Sequence, residues 1–500
     1  MLRLLELKLI KHPIVGDLNL DLTDCVDKET DLYNTIIIGP NGTGKSYLLQ
    51  AIVNIFRDGA TYLNRVEKKS GFVNGSYYLK YLFKEKIVEI ANYNFTTESI
   101  DKSDFKSPIN FFVNGRLSND SSFLPAKILA SSMIFTDKFP AVEDKNLPQY
   151  NYLGVRNLNS STAGTKTINT KVVDSLTKSL TKNGFLEKLR KVLEDLNYSP
   201  SIKISYVPKY RTVFYGKDLS VDSLISMFEN WRETFNSRKS TPWGMGYFHS
   251  IKNNELLLSR IVNFLNNKKF KPYGKGGRYF EYDLIKENIN IGDYEVLYHL
   301  HKLDLVSFPN IELAKLDSKF GIADSSSGEQ NVLFTLFTIL ANVEDNSIIL
   351  IDEPELSLHP NWQMQYFSIL REIFKSYNGL HFLVATHSHF LISDVKGENS
   401  KIVGLKKDNN KIQTVELPAN INTYGWSAED VLYNIFNVRS SLNYYLQADL
   451  TQLLGMISNE IKDIPKIETI INKLNRLQKR ENDPLQEIIS EAKEYLESIR

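Results

Sequence analysis

The stretch GPNGTGKS, Gly39–Ser46, decides the fold class of this chain. It follows the apolar run TIII, which predicts a strand, and continues into SYLLQAIVNIF, whose apolar residues recur at helical spacing. A strand, a glycine-rich loop and a helix in this order are the context of a phosphate-binding loop. Glycines let backbone N–H groups surround phosphate oxygens, and the helix N-terminus adds its positive dipole end. The stretch therefore predicts a nucleotide site, with an ordinary glycine-rich turn as the alternative.

The last two residues of the predicted loop each have a specific expected role. The whole loop is assigned to cofactor binding: Gly39, Pro40, Asn41, Gly42, Thr43, Gly44, Lys45 and Ser46. Lys45 has the length and charge to reach the β- and γ-phosphates of ATP. The hydroxyl of Ser46 is of the type that coordinates Mg²⁺. We therefore expect ATP and Mg²⁺ as cofactors.

Composition limits the classes of protein to which the chain can belong. Its 500 residues predict two to four structural units, and a net charge of +1 means that nucleic-acid contact requires a local basic patch. The single cysteine, Cys25, excludes an internal disulfide and fits a reducing compartment. No apolar run approaches the roughly 20 residues that span a bilayer. We expect a cytoplasmic protein that does not enter a membrane.

A second segment with catalytic residue types, NSIILIDEPELSLHP, spans Asn346–Pro360. Its apolar residues Ile348–Ile351 predict a buried parallel strand. Asp352 and Glu353 follow at the carboxyl end of that strand, where α/β sheets place their ligand chemistry. We expect Asp352 to hold Mg²⁺ and Glu353 to orient or deprotonate the attacking water.

Two further segments are expected beside the phosphates. In ADSSSGEQNVLFTLFTIL, from Ala323, serines and a glycine precede a long apolar helix. They predict a helix N-cap and a second anion site, with a plain N-cap as the alternative. HFLVATHSHF, His381–Phe390, is an apolar strand that ends at Thr386 and His387. His387 and His389 are of the type that binds zinc, but no third or fourth ligand lies nearby in sequence.

In chain order these segments resemble the motif set of the ATP-binding cassette ATPases. GPNGTGKS resembles the Walker A motif, IILIDEPE the Walker B motif with its catalytic glutamate, SSSGEQ the signature, LSLHP the D-loop and THS the switch histidine. The resemblance implies a head-to-tail dimer in which Ser326 and Gly328 contact the γ-phosphate bound by Lys45 of a second copy. It assigns catalysis to Glu353, His387 and Lys45, metal binding to Ser46 and Asp352, and cofactor binding to Ser326, Ser327, Gly328 and Glu329.

The spacing of the motifs points to one branch of this superfamily. Lys45 and Ser326 are 281 residues apart (326 − 45), which leaves room for a large insertion as in the SMC/RecF/OLD-type ATPases. EPELSLHP and ATHSHFLISDV resemble the bacterial "AAA family" ATPases of this group. PAKILASSMIFTDKF and YNYLGVR are most similar to PtuA, the ATPase subunit of the Septu anti-phage defence system.

That resemblance implies an ATP-hydrolysing, oligomeric defence subunit that regulates a separate HNH-type (PtuB-like) nuclease on DNA. The chain itself has no Asp-x-Asp pair after residue 395 and no histidine after His389, so we expect no nuclease centre of its own. Two alternatives stay open: a RecF-like DNA-repair ATPase that works without a nuclease, and a nucleotide-gated regulatory scaffold with little turnover.

Two motifs depart from the family pattern. No glutamine closely follows the strand KILASS, where the Q-loop is expected; Gln149 is a candidate, and Asp137 or Lys138 occupies the neighbourhood. The signature begins with Ser325, where many members carry leucine. Neither change removes a catalytic group, but the identity of the Q-loop residue stays open.

The expected fold is an α/β, ABC-type ATPase head, made of a mixed sheet and an α/β lobe and interrupted by a mostly helical insertion. We expect an N-terminal lobe with Walker A over 1–165 and the insertion over 166–308. A C-terminal lobe with signature, Walker B and switch histidine follows over 309–438. A helical tail for assembly or partner docking occupies 439–500.

A basic stretch with interleaved aromatic residues, NNKKFKPYGKGGRYFEY, lies within the expected insertion. Its cations could neutralise phosphates and its aromatic rings could stack on bases. The expected DNA-contact residues are Lys268, Lys269, Lys271, Lys275 and Arg278. A solvated basic loop is the alternative.

Overall fold

The protein is described by a computed structural model with two compact units, Met1–Gly425 and Trp426–Arg500. The described residues are 1–24, 32–65, 71–92, 109–156, 165–180, 182–209, 219–236, 244–267, 270–273, 277–286, 291–315, 318–393, 395–408, 411–415, 423, 426, 431, 444–459, 461–475 and 484–499.

A seven-stranded sheet forms the centre of the first unit. Its strands are β3 (Leu32–Ile38), β8 (Lys127–Ser132), β9 (Tyr150–Tyr152), β15 (Ser347–Asp352), β16 (Leu380–Thr386), β17 (Ser400–Asp408) and β18 (Lys411–Val415). They lie in the order β18-β17-β3-β16-β15-β8-β9, and all neighbours are parallel except the β17–β18 hairpin. Strands β3, β15 and β16 are buried along their whole length, as expected for a parallel sheet covered on both faces.

The register of the central sheet brings four loops to one edge. Ile38 pairs with Thr386, and Asp352 pairs with both Ala385 and Ser132. The carboxyl ends of β3, β16, β15 and β8 therefore lie side by side. The loops that follow these strands start from the same edge, which is where ligands bind in open α/β sheets.

A six-stranded antiparallel sheet packs over the first helix. Its strands are β1 (Leu2–His12), β2 (Gly16–Asp21), β4 (Ser76–Phe83), β5 (Lys86–Asn92), β6 (Ile109–Val113) and β7 (Arg116–Leu117), in the order β2-β1-β4-β5-β6-β7. Helix α1 (Lys45–Leu63) contributes Leu48, Ile52 and Phe56 to a core that also contains Ile348 and Leu383 of the central sheet. The helix that follows the glycine-rich loop is thus fixed between two sheets.

The insertion combines helices with a second antiparallel sheet. Its helices are α2 (Thr165–Ser179), α3 (Phe185–Asp195), α4 (Val221–Asn236), α5 (Met245–Ile251), α6 (Glu255–Asn267) and α7 (Ile291–Lys302). Its sheet has the order β11-β12-β10-β13-β14 and comprises β10 (Ile202–Pro208), β11 (Lys271–Tyr273), β12 (Gly277–Asp283), β13 (Val306–Lys315) and β14 (Ser318–Gly321). Helices predominate over 166–308, but the sheet was not predicted. Its strands pack through aromatic rings, such as Tyr206 stacked on Phe280 at 5.2 Å between centroids.

Two helices lie in the C-terminal half of the first unit, α8 (Ser327–Asn342) and α9 (Pro360–Phe374).

The second unit contains, among its described residues, three helices, α10 (Tyr444–Ser458), α11 (Ile464–Asn475) and α12 (Pro484–Ile499), joined by an apolar core that includes Leu453, Ile467 and Ala492. In the part of the chain that the structure describes, we find no helix with the length and apolarity that crossing a membrane requires.

Candidate active site

The glycine-rich loop has the backbone conformation of a concave anion site. Gly42 and Gly44 have φ angles of 80° and 78°, in the left-handed region that side chains disfavour. A Cβ on Gly39 would lie 2.6 Å from the carbonyl oxygen of Leu405, so β17 also requires glycine there. Gly44 is the N-cap of α1 and provides no side-chain cap. The N-terminus of α1 therefore keeps its N–H groups available to a ligand.

Lys45 lies inside the loop. Its Nζ donates to the carbonyl oxygens of Gly39 at 2.8 Å and Pro40 at 3.2 Å, and the residue is 5% exposed. Burial lowers the pKa of Lys45, and the carboxylates of Glu353, Glu355 and Asp352 partly offset this effect. A buried ammonium is thus held among weak carbonyl acceptors, which the stronger charge of phosphate oxygens can replace.

Ser46 and Asp352 meet although they are 306 residues apart. The hydroxyl of Ser46 donates to Oδ1 of Asp352 at 3.0 Å. Asp352 is 2% exposed, and burial raises its pKa to about 7, against the lowering effect of the Ser46 hydrogen bond. A hydroxyl beside a buried carboxylate is a hard oxygen donor pair that fits Mg²⁺, and a cation there would stabilise the ionised carboxylate.

Glu353 and His387 lie next to this pair, on the loops that follow β15 and β16. Glu353 has a φ of 50°, an uncommon value for a glutamate, and its N–H donates to the carbonyl oxygen of Ala385 at 2.9 Å. Its Oε1 is 3.6 Å from Nδ1 of His387. The side chain of His387 is 36% exposed, so both groups face the solvent edge at which a phosphate and a water would meet.

Glu355 completes the cluster and was not predicted from the sequence. It is 9% exposed, and its Oε1 accepts the backbone N–H of His387 at 2.8 Å and lies 3.7 Å from Nε2 of the same residue. The only sequence signal for Glu355 is its place in the motif Glu353-Pro354-Glu355. The sequence analysis predicts a catalytic role for Glu353 alone, because Glu353 follows the strand directly.

The signature residues form the predicted helix N-cap. Ser326 is the N-cap of α8, and a capping box joins it to Glu329: Glu329 N donates to Ser326 Oγ at 3.3 Å, while Ser326 N and Oγ donate to Glu329 Oε2 at 3.3 and 3.0 Å. A Cβ on Gly328 would lie 2.6 Å from the carbonyl oxygen of Ser357. Asn331 donates to the carbonyl oxygens of Pro354 at 3.2 Å and Leu356 at 2.8 Å. The start of α8 is therefore fixed to the loop 353–358.

The structure brings together one part of the predicted site and leaves another apart. Lys45, Ser46, Asp352, Glu353 and His387 form one cluster at the edge of the central sheet. Among the described residues, no hydrogen bond or ion pair joins Ser326–Glu329 to Gly39–Ser46 within one chain.

Comparison with protein families shows to which family the chain belongs. A family model for the AAA ATPase domain matches residues 24–392, which is 369 residues (392 − 24 + 1) and well over half of the chain. The chain belongs to the AAA ATPase domain family.

Similar individual proteins include two ATPases of retrons. The chain is 23% identical over 441 residues to the retron Ec83 probable ATPase of Escherichia coli, covering 81% of this chain and 72% of that protein. It is 23% identical over 202 residues to the retron Vc95 probable ATPase of Vibrio cholerae, covering 37% of each. It is 36% identical over 70 residues to protein ea59 of Escherichia phage lambda, covering 14% and 13%.

Among solved structures, SMC head domains are similar to the chain. The Smc head domain with an extended coiled coil from Pyrococcus furiosus aligns with a TM-score of 0.34 and 12% identity, over 88% of this chain and all of that chain. The SMC head domain from Thermotoga maritima gives 0.35 and 11%, over 83% and 99%. TM-scores this low do not distinguish this fold from others.

In this AAA ATPase domain the loop after β8 contributes an acid rather than a glutamine. Asp137 is among the charges that raise the pKa of Asp352, and it accepts from Tyr152 OH at 2.7 Å and pairs with Arg156 at 2.8 Å. Gln149 lies at the opposite end of the sheet, because its carbonyl oxygen accepts the N–H of Ile128. That position is four residues, about 13 Å, before the end of β8, so Gln149 is not part of the site.

The insertion of this AAA ATPase domain contacts the signature. Tyr198 OH donates to Oε1 of Glu329 at 3.4 Å, and Nζ of Lys315 lies 3.6 Å from the same oxygen. The Lys315 ammonium also lies 5.1 Å from the centroid of the Tyr198 ring. The end of β13 and the segment before β10 are thereby joined to the capping box of α8.

The expected DNA-contact residues are only partly described. Lys268, Lys269 and Lys275 lie outside the described residues, as does the side chain of Arg278. Lys271 is 57% exposed and forms an ion pair with Glu281 across the β11–β12 hairpin. Lys271–Tyr273 and Gly277–Tyr279 thus lie in paired strands, and the role of the cations in DNA binding stays a prediction.

The zinc alternative at His387 and His389 has no supporting geometry. The ring of His389 packs against Phe390 at 4.1 Å between centroids. In the described part of the chain, no group of three or more His, Cys, Asp or Glu side chains is arranged to hold a metal ion.

Proposed function

We propose that this chain is the ATP-binding and ATP-hydrolysing subunit of a bacterial anti-phage defence complex. It dimerises around ATP and regulates a separate HNH-type nuclease on DNA. The observation that carries the ATPase part is the cluster of Ser46, Asp352, Glu353 and His387 around the buried ammonium of Lys45. Membership of the AAA ATPase domain family supports the same chemistry.

In the proposed reaction each residue of the cluster has one task. The backbone N–H groups of Gly39–Ser46 and the N-terminus of α1 bind the phosphates, and Lys45 exchanges its carbonyl acceptors for phosphate oxygens. Ser46 and Asp352 would hold Mg²⁺, which neutralises charge on the phosphates when bound. Glu353 orients the attacking water and takes its proton, while His387 lies beside the γ-phosphate.

The proposed dimer places the signature of one copy over the nucleotide of another. Ser326 and Gly328 start a long helix whose first N–H groups suit an anion, yet among the described residues no hydrogen bond or ion pair joins the signature to the glycine-rich loop within one chain. A second copy in head-to-tail arrangement would supply this half of the site. Two composite ATP sites per dimer follow from this arrangement.

The defence assignment rests on similarity. The two retron relatives are each named as a probable ATPase, and the motifs resemble the ATPase subunit of the Septu system. The second unit, Trp426–Arg500, is a small helical body that we assign to assembly or nuclease docking. A RecF-like repair ATPase would use the same ATP site without a nuclease subunit.

ATP hydrolysis by the purified chain tests the enzymatic part. We expect Lys45→Ala to lose nucleotide binding, and Glu353→Gln to bind ATP, lose phosphate release and accumulate as a dimer in light scattering. Glu372→Gln and Lys191→Ala, which alter an exposed ion pair, are the controls and should keep full activity. Phosphate release that survives both site substitutions would refute the proposed catalytic roles.

Purification of the chain together with the products of its neighbouring genes tests the regulatory part. The expected result is a stable complex with an HNH-type nuclease whose DNA cleavage changes with ATP. A solitary chain that cleaves DNA by itself would overturn this part and leave the ATPase assignment intact.

A further inference from the structure

Glu355 is a buried carboxylate that has no task in the reaction proposed above. It lies two residues after Glu353 in the loop between β15 and α9 and is 9% exposed. Among the residues that the structure describes, its Oε2 is buried without a hydrogen-bond partner, and the same holds for Nδ1 of His387. Buried polar atoms without partners are unfavourable, so both atoms are expected to gain partners when the site is at work.

The backbone around Glu355 is fixed from two sides. The side chain of Asn331, from α8, donates to the carbonyl oxygens of Pro354 and Leu356, the residues immediately before and after Glu355. Leu358 N donates to the carbonyl oxygen of Glu355 itself at 2.9 Å. The backbone that carries this carboxylate is therefore held by contacts within the fold.

The imidazole of His387 lies between two carboxylates. Nε2 faces Oε1 of Glu355 at 3.7 Å, and Nδ1 faces Oε1 of Glu353 at 3.6 Å. Neither distance is a hydrogen bond, but a movement of about 1 Å makes either one into such a bond. The backbone N–H of His387 is already held by Glu355 at 2.8 Å, which limits the ring to small movements about this position.

We propose that Glu355 is the positioning residue for His387. Its carboxylate accepts the Nε2–H of the imidazole, which leaves Nδ1 unprotonated and directed at Glu353. Such a carboxylate–imidazole pair fixes the tautomer of the ring and stabilises the imidazolium when a proton arrives. This inference rests on the proposed function, since it assigns a second acceptor to the proton of the attacking water.

Glu353 and His387 together can accept the proton that the attacking water releases. When the water oxygen bonds to the γ-phosphorus and the bond to the ADP oxygen breaks, the water proton passes to Glu353. Glu353 then transfers it to Nδ1 of His387, 3.6 Å away, and becomes a carboxylate again. The resulting imidazolium lies between the two carboxylates, and it returns the proton from Nδ1 to Glu353, whose side chain is 24% exposed and releases it to solvent.

A purely structural role for Glu355 makes a different prediction. Holding the N–H of His387 requires one neutral acceptor oxygen, which glutamine also provides. The charge of Glu355 matters only if the imidazole ring is its partner. Glu355→Gln therefore keeps the backbone hydrogen bond and removes the charge, whereas Glu355→Asp keeps the charge and withdraws it by one methylene.

The first test measures ATP turnover in these variants. We expect Glu355→Gln to lower kcat by about 10–100-fold, with an unchanged or lower KM for ATP, and Glu355→Asp to retain more activity than Glu355→Gln. In a His387→Gln background, Glu355→Gln should have no further effect. Glu372→Gln, the same change at an exposed carboxylate, is the control. Wild-type kcat in Glu355→Gln, or an equal loss without His387, would overturn the inference.

The second test does not require turnover. Long-range ¹H–¹⁵N spectra of the nucleotide-free protein report the imidazole tautomer, with the His387 signals assigned by their loss in His387→Gln. We expect the Nε2–H tautomer in the wild type and a shift towards the Nδ1–H tautomer in Glu355→Gln, because a neutral amide oxygen is a weaker acceptor for the Nε2–H than the carboxylate. The same tautomer in both proteins refutes the positioning role. A wild-type chain without ATPase activity but with this tautomer change would instead refute the proposed function alone.

Discussion

The buried carboxylate of Asp352 makes the stability of the nucleotide-free protein depend on pH. Burial raises its pKa from 3.8 to about 7, so the folded protein keeps a proton on this group that the unfolded chain loses near pH 4. Between these two values the folded state binds more protons than the unfolded state. The free energy of unfolding therefore falls as pH rises through this window. The isosteric Asp352→Asn variant has no such proton to lose.

The size of the effect follows from the two pKa values. Three pKa units correspond to about 4 kcal/mol, with about 2 kcal/mol of it between pH 5 and pH 7. We expect Asp352→Asn to match the wild type near pH 4 and to become more stable than it by about 4 kcal/mol at pH 8. Mg²⁺ with ATP should reverse this difference, because the cation stabilises the ionised carboxylate and binds only the folded state.

Urea unfolding at several pH values, followed by tryptophan fluorescence, measures this difference directly. Asp408→Asn, which removes an exposed aspartate at the end of β17, is the matched control and should follow the wild type at every pH. Parallel pH profiles for the wild type and Asp352→Asn would show that Asp352 is ionised in the folded protein. That result would refute the raised pKa on which this prediction rests.

Three further substitutions have expected outcomes. Gly328→Ala places a Cβ 2.6 Å from the carbonyl oxygen of Ser357, and should abolish ATP-dependent dimer formation in light scattering while the monomer still binds ATP; a normal dimer would contradict the composite site. Arg156→Met leaves the buried Asp137 without its cation and should destabilise the protein by about 3–5 kcal/mol, with Asp137→Asn/Arg156→Met recovering most of the loss in urea unfolding. His381 is fully buried with a pKa well below 6.5 because of burial and Arg3, so its own contribution to stability should decline as pH falls below about 6.5, opposite in sign to that of Asp352. Relative to the wild type, His381→Gln should therefore gain stability in thermal unfolding as pH falls from 7 to 5, and an unchanged difference between the two proteins would refute this contribution.

Local sequence predicted the parts of the site that depend on local structure. The glycines at 42 and 44 require left-handed backbone, Ile348–Ile351 form a continuous buried strand, and Ser326 caps α8 as its residue type favours. Each of these features is decided within one turn or one strand. Their meeting at one sheet edge followed from the rule that parallel strands present their carboxyl ends together.

Other parts could not be predicted, because they depend on pairings between distant segments. The sheet of the insertion is built from strands as far apart as Ile202 and Leu313, with helices between them. Asp137 is part of the site because β8 pairs with β15, 220 residues later (347 − 127). Glu355 is part of the site only because the pairing of β15 with β16 brings His387 beside it.

The order of strands in the central sheet also has a consequence for synthesis on the ribosome. Strand β3 leads directly into the glycine-rich loop, and both of its neighbours, β16 and β17, begin 342 or more residues after it ends (380 − 38). At roughly 5–20 residues per second, the nascent β3 waits roughly 20–70 s for its partners. Until then the apolar strand that carries the phosphate loop has no sheet to join. In the newly made chain, β3 and the glycine-rich loop therefore need protection from aggregation for the longest time.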